Sequence, residues 1–169
     1  MSRHHHHLAA LVALSAVACV DGPVAPVLDT GSPTPSLSAE PVSRPWKGRC
    51  NGTATFIDAT TLHIVGSCNI THMGLVLVEG TETVGGEPDG TGLAGTFVYT
   101  AANGDQLRTT SIGVSTVLPD FSGVTFSATE TATGGTGRFR HATGSAQRIG
   151  STRFLDSVGS YELLGTLTY

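Results

Sequence analysis

The sequence predicts an all-β fold, an eight-stranded antiparallel β-barrel, and three observations point to it. From about residue 50 onward, runs rich in Thr, Val, Ile, Phe and Tyr alternate with period two, and Gly, Asp, Asn and Pro punctuate them. No stretch sustains a helical period, which argues against a parallel βαβ arrangement. The runs are regularly spaced with short connections, as in a meander. Closing eight such strands on themselves removes the two exposed edges of an open sheet.

The chain of 169 residues reads as one domain behind a leader. Met1–His7 is a polar, mildly basic start, and Leu8–Ala18 is an unbroken run of apolar and small residues, too short to span a bilayer as a helix. Ala16-Val17-Ala18 is a small-x-small cleavage pattern, so residues 1–18 are expected to be a signal peptide. His4–His7 is either a tag fragment or a natural tract, and it precedes the cleavage point, so no metal role is expected of it. Cys19 follows at once. Val17-Ala18-Cys19 resembles the end of a bacterial lipobox, whose cysteine is lipidated, although Ala16 stands where that pattern has leucine; ordinary cleavage with Cys19 incidental is the other reading. Val20–Pro45 holds six of the chain's eight prolines among Ser, Thr, Gly and Ala, a composition that cannot bury enough apolar surface to fold. Residues 19–45 are therefore expected to be a lipidated N-terminus with a linker, and 46–169 the barrel.

Three cysteines are odd for an exported protein. Lipidation of Cys19 leaves Cys50 and Cys68. Thr53–Ile57 and Leu62–Ser67 both alternate, and Asp58–Thr61 can turn between them, so folding about Ala59–Thr60 brings the two cysteines together. A disulfide is predicted, in keeping with an oxidising compartment. The eight strands are expected at about 50–57, 62–70, 73–79, 92–101, 105–118, 121–133, 144–154 and 160–169. Asn103-Gly104 signals a tight hairpin, and Val84–Gly92 a long flexible loop. Gly134-Gly135-Thr136-Gly137-Arg138-Phe139-Arg140-His141-Ala142-Thr143-Gly144 joins two strands. Its glycines allow positive φ and close approach, with one short helical turn near 137–142 and Phe139 as its apolar foot.

That block resembles the Gly-Gly-Thr-Gly-x-Phe-Arg-x-Ala-Arg-Gly segment of plant dirigent proteins, and still more the matching segment of bacterial secreted proteins with an allene-oxide-cyclase-like barrel. Gly134, Gly135, Thr136, Gly137, Phe139, Arg140 and Gly144 carry the match. Thr71-His72-Met73-Gly74, Thr100–Asp105 and Gly165–Tyr169 extend it in order. The resemblance implies an eight-stranded antiparallel barrel, often secreted. Members include allene oxide cyclases, which shape the cyclisation of an unstable epoxide, and dirigent proteins, which steer coupling of phenoxy radicals. Thr143 stands where dirigent proteins carry the Arg of Ala-Arg-Gly, a residue associated with their barrel site.

Charge and motifs exclude several functions. The net charge is −4, and Arg138/Arg140 beside Phe139 is too small a basic cluster to track a phosphate backbone, so no nucleic-acid partner is expected. His63, His72 and His141 fit no metal spacing, Cys50 and Cys68 have no Cys-x-x-Cys partner, and no metal or cofactor is expected. There is no Gly-x-Ser-x-Gly elbow, and Gly134–Gly137 lacks the Lys of a phosphate loop. Asn51-Gly-Thr and Asn69-Ile-Thr are formal glycosylation sequons, relevant only to a eukaryotic secretory route.

One pair stands out. If an odd-numbered loop joins the fifth and sixth strands, Val114 pairs with Val124 and Ile112 with Phe126, which makes one face consistently apolar. The same register sets Arg108 opposite Glu130 inside the barrel near one end. The pair is a candidate ligand anchor or catalytic handle, and a structural ion pair is the preferred alternative. The function expected is a lipid-anchored envelope module that binds a small apolar ligand or is structural. The alternative is a cyclase-like isomerase or dirigent-type auxiliary acting on a small hydrophobic substrate. The expected address is the bacterial cell envelope, with the membrane met through the N-terminal anchor.

Overall fold

The computed structural model describes residues 41–85 and 91–169. The expected signal peptide, Cys19, most of the expected linker and residues 86–90 of the Val84–Gly92 loop lie outside the described residues. Among those described, eight strands run in sequence order: β1 (Ser43–Phe56), β2 (Thr61–Ile70), β3 (Gly74–Val84), β4 (Gly92–Ala101), β5 (Gln106–Val117), β6 (Gly123–Gly135), β7 (Thr143–Arg153) and β8 (Val158–Thr168). Every neighbouring pair is antiparallel, and β1 also pairs with β8, so the meander closes into a barrel. A single 3-10 turn, Gly137–Phe139, interrupts it, where the glycine block predicts a helical turn. β1 begins at Ser43, three residues before the expected domain start at Trp46.

Alternation sorts the side chains into lumen and outer wall. Trp46, Cys50, Cys68, Ile70, Val76, Val78, Phe97, Tyr99, Leu107, Phe139, Leu163 and Leu167 are each at most 2% exposed and form the core. The end of the barrel that carries the β2–β3, β4–β5 and β6–β7 connections is plugged. Phe139 of the 3-10 turn packs edge-on against Tyr169, with ring centroids 4.9 Å apart. The Arg138 guanidinium lies 4.7 Å from the Phe139 centroid, and Arg44 lies 5.6 Å from that of Tyr169. Gly137 has φ +54 and sits against the Asp105 carboxylate, so a Cβ there would overlap it. The glycine block is thus the cap of one barrel end, clamped to the Asn103–Asp105 turn.

The first hairpin is as the sequence predicts. Asp58 accepts hydrogen bonds from the Thr60 and Thr61 backbone N–H groups (2.8 and 2.7 Å), which shapes the turn. Cys50 and Cys68 are then directly opposite in the ladder, and they form a disulfide at a Cα separation of 4.0 Å. Both are 1% exposed.

The bridge is therefore expected to be invisible to thiol reagents in the native protein. Alkylation of the unreduced domain should label neither Cys50 nor Cys68, and exchanging both for Ala should cost about 2–4 kcal/mol, read by denaturant titration. Labelling of either residue without reduction would show that the bridge is absent.

Candidate functional site

The lumen contains a charged cluster that a hydrophobic pattern does not announce. Glu82 on β3, Glu130 on β6 and Arg148 on β7 are 4%, 0% and 1% exposed. β3 and β7 stand four strands apart in the ring of eight, so they face each other across the lumen. Arg148 crosses that space, and its Nη2 donates to Glu82 Oε1. Its Nε lies 3.7 Å from Glu130 Oε2, close enough for ion pairing and too long for a hydrogen bond. Rings enclose the guanidinium. The centroids of Phe97, Phe126 and Tyr161 are 4.7, 4.9 and 5.5 Å from Arg148 Cζ, so the cation lies against π faces in place of water.

A second set of contacts crosses the same space between β4 and β8. The Tyr99 and Tyr161 hydroxyls are 3.3 Å apart, and Tyr161 Oη is 3.7 Å from Cys68 Sγ of the disulfide. Tyr99 also hydrogen-bonds the Glu130 carboxyl, whose Oε1 accepts from Thr109 Oγ1 at 2.7 Å. Three buried atoms of the cluster lack a hydrogen-bond partner among the described residues: Ser111 Oγ, Glu130 Oε2 and Arg148 Nε. Local sequence makes the room. Gly80 and Gly150 face inward, and a Cβ on Gly80 would strike the Phe97 ring; one on Gly150 would come within 2.7 Å of Phe126 Cζ.

The charge balance decides the chemistry. One guanidinium faces two carboxyls. Burial raises both carboxyl pKa values above their ordinary value, and Arg148 pulls each back down. Burial is the largest single effect on Arg148 and lowers its pKa, but Glu82 and then Glu130 raise it, with a net shift upward, so the guanidinium keeps its charge. A second anion has no cation to pair with in a medium of low dielectric. Of the two, Glu82 is the carboxyl hydrogen-bonded to Arg148, while burial pushes the deeper Glu130 toward its protonated form. Burial and Glu130 raise the Tyr99 and Tyr161 pKa values, so both phenols stay neutral. The centre of the barrel thus holds two carboxyls with raised pKa values and two neutral phenols around one arginine.

Glu130 is the one residue of the expected Arg108–Glu130 pair found in the lumen. Arg108 is exposed on the outer wall, and Glu130 faces Ser111. The register differs because Leu118 N–H bonds to the Gly123 carbonyl, which leaves an even loop, Pro119–Ser122, between them. Val114 then pairs with Ser127 and Ile112 with Thr129, and Arg108, between the inward Leu107 and Thr109, points outward by simple alternation. The most apolar face of β5 is solvent-facing: Ile112 and Val114 are 73% and 49% exposed. Its inward face presents Ser111 and Thr109, of which Thr109 donates its hydroxyl to Glu130. Glu82 and Arg148 escaped sequence reasoning. Each interrupts a face of small or apolar residues, Val76-x-Val78-x-Gly80-x-Glu82 and Ala146-x-Arg148-x-Gly150, and that interruption is the signal that could have found them. His63 bonds Glu79 at 3.1 Å on the outer wall, His72 adopts φ +65 in the β2–β3 turn, and His141 is exposed.

The molecule has a dirigent-like fold. It resembles the solved structure of the pterocarpan synthase dirigent protein GePTS1 with a TM-score of 0.52 at 15% identity, over 85% of this chain and 99% of that one. The pterocarpan synthase dirigent protein PsPTS1 gives 0.50 at 13% identity, over 76% and 96%. No protein-family model and no curated protein matches the sequence.

Sharing one cation between two carboxyls has measurable consequences. Glu82→Gln and Glu130→Gln should each cost roughly 1–2 kcal/mol or less, since the remaining carboxyl can hold the anion. The double variant should cost more than the sum, because Arg148 cannot shed its proton. Strictly additive losses would refute the shared charge. Arg108→Met should cost less than about 1 kcal/mol. The pH dependence follows by linkage. A carboxyl with a raised folded-state pKa makes the native state bind the extra proton, so its contribution is largest at acid pH and is lost as pH rises from the ordinary 4.5 through the raised value. The melting temperature should therefore rise on going from pH 7.5 to 5, and Glu130→Gln should flatten that slope. At lower pH the turn carboxylates Asp58, Asp120 and Asp156, with depressed pKa values, protonate and reverse the trend.

Proposed function

We propose that the barrel is a small-molecule-binding module whose ligand has an apolar body and one oxygen acceptor. The observation that carries this reading is the lumen cluster itself: three ionisable groups, two of them carboxyls that share one guanidinium, at the centre of a small core. Such a cluster is costly as mere filling, since hydrophobic groups of like volume serve stability as well or better. Clefts that hold perturbed carboxyls are where ligands are bound and protons moved. The way in is the end opposite the plug. There Leu62, Ile64, Val124 and Phe126 are half-buried and face inward, which makes that end of the lumen apolar. A carbonyl, ether or hydroxyl oxygen reaching the cluster would meet the Glu130 acid, the Tyr161 hydroxyl and the Arg148 guanidinium, all donors. The leader and the buried disulfide support an exported protein, held at the envelope through Cys19.

A second reading is supported by the same donor set. An acid in a dry site can protonate a ligand oxygen, which is what a cyclase-like isomerase or a dirigent-type auxiliary acting on a hydrophobic substrate would need. Both similar solved structures are named as pterocarpan synthase dirigent proteins. A structural role is supported by how completely Trp46, Phe97, Tyr99, Phe139 and Arg148 fill the lumen. The grooves of about 520 and 390 Å³ lie on the outer wall of β3, β4 and β5.

Native mass spectrometry of the purified protein tests the proposal. A small molecule should co-purify and raise the melting temperature, and Glu130→Gln should lose it while keeping the fold. A chain that carries nothing, and whose melting temperature is unmoved by apolar carbonyl compounds, would leave the structural role.

A further inference from the structure

We propose that the end of the barrel opposite the plug docks on a zwitterionic lipid surface, through apolar prongs on three turns. The β1–β2 turn presents Phe56 and Ile57, 57% and 62% exposed. The β5–β6 turn presents Phe121 at 76%, and the β7–β8 turn Phe154 and Leu155 at 49% and 98%. Val117 and Val158 flank them at 50% and 38%. At the plugged end the exposed large apolar side chains among the described residues are Val42 and Leu75, at 49% and 66%, which flank its turns and do not sit on their tips.

The prongs belong to one rigid unit. Phe154 N–H bonds to the Ser122 carbonyl at 3.0 Å, which ties the β7–β8 turn to the β5–β6 turn. Ala54 N–H bonds to the Ser157 carbonyl at 2.9 Å, which ties the same turn to the end of β1. The three turns therefore form a crescent around the mouth of the barrel.

Shape selects the partner. The crescent is a row of separate, convex tips. A peptide needs a groove, and a second copy would set tip against tip. A soft apolar phase accepts all the tips at once. Backbone chemistry agrees. Asp58, Asp120 and Asp156 each accept backbone N–H groups of their own turns, at 2.7–3.2 Å, so those polar groups are already satisfied as the tips leave water. Charge refines the choice. Those three aspartates have depressed pKa values and stay ionised beside the tips. The neighbouring Arg153 is held by Asp156 at 2.6 Å. With a net charge of −4 on the chain, an anionic surface is repelled and a zwitterionic one is not.

Phe121 adds an observation of its own. It adopts φ +55, a conformation that a bulky side chain resists, while its ring is mostly in solvent. Neither feature helps the free fold. Both are accounted for if the turn serves to hold an aromatic ring outward.

The test uses the full chain carrying Phe121→Trp, mixed with phosphatidylcholine vesicles whose acyl chains are brominated. Trp46 is the single native tryptophan, 1% exposed and at the plugged end, so it serves as the internal control. The expected result is a blue shift and quenching of the introduced indole's emission, weakened by adding phosphatidylglycerol. Leu155→Asp in that background should lower the apparent vesicle affinity by about tenfold, the scale of one large apolar group. In the native background, Phe121→Gly should also bind vesicles about tenfold more weakly while its melting temperature holds or rises, because the strained φ is relieved. An introduced indole left unquenched on chains that float with the vesicles through their N-terminal segment would overturn the proposal. A blue shift that grows with protein concentration without lipid would assign the crescent to a second copy and overturn it equally. The quenching readout depends on the tips alone, so it stands or falls separately from any ligand in the lumen.

Discussion

Arg148 must be neutralised where there is no water, and much of the barrel is arranged around that need. The guanidinium cannot discard its charge, so two carboxyls, one across the lumen and one beside it, are held against it. Thr109 and Tyr99 then bond the deeper carboxyl, Glu130, and Phe97, Phe126 and Tyr161 replace solvent on the cation's faces. The inward glycines follow from the rings, since Gly80 and Gly150 lie where Phe97 and Phe126 would otherwise meet a methyl group. Even the outward turn of the apolar face of β5 follows, because its inward positions are taken by Thr109 and Ser111.

The two ends of the barrel have opposite characters. One is sealed by aromatic and cation–π packing of Phe139, Tyr169, Arg138 and Arg44. The other lines its interior with half-buried aliphatic groups and carries exposed apolar tips on its turns. A sealed end and an approachable end give the lumen a direction. A ligand drawn from an apolar phase would meet hydrocarbon first and hydrogen-bond donors last, so the proposed ligand chemistry and the proposed lipid contact act along one axis without depending on each other.

Closure also removes what a sheet of this composition would otherwise expose. β1 and β8 pair along eleven positions, from Ser43 with Thr168 to Thr53 with Val158. Among the described residues, no strand edge is then left for pairing between chains. The Cys50–Cys68 bridge fixes the first hairpin at the point where Tyr161 of the last strand meets it, which links the ends of the meander through the core.

The strands, the first hairpin and its disulfide, the tight Asn103-Gly104 turn and the helical turn within the glycine block were legible in the sequence. Each depends on local chemistry: period-two alternation, an Asp that shapes its own turn, and glycines where φ is positive. Glu130 was legible as an inward charge. Its partners were not. Register between β5 and β6 was inferred from apolarity, on the assumption that the most hydrophobic face is the inner one. In this barrel the lumen at that level is polar, so the assumption selected the wrong parity and gave Glu130 to Arg108. Glu82 and Arg148 lie 66 positions apart in the chain and face each other only because the ring closes. Local pattern determined which segments are strands, and ring closure alone decided which charges meet, because diametric contact in a barrel is a property of strand number and stagger that no single segment contains.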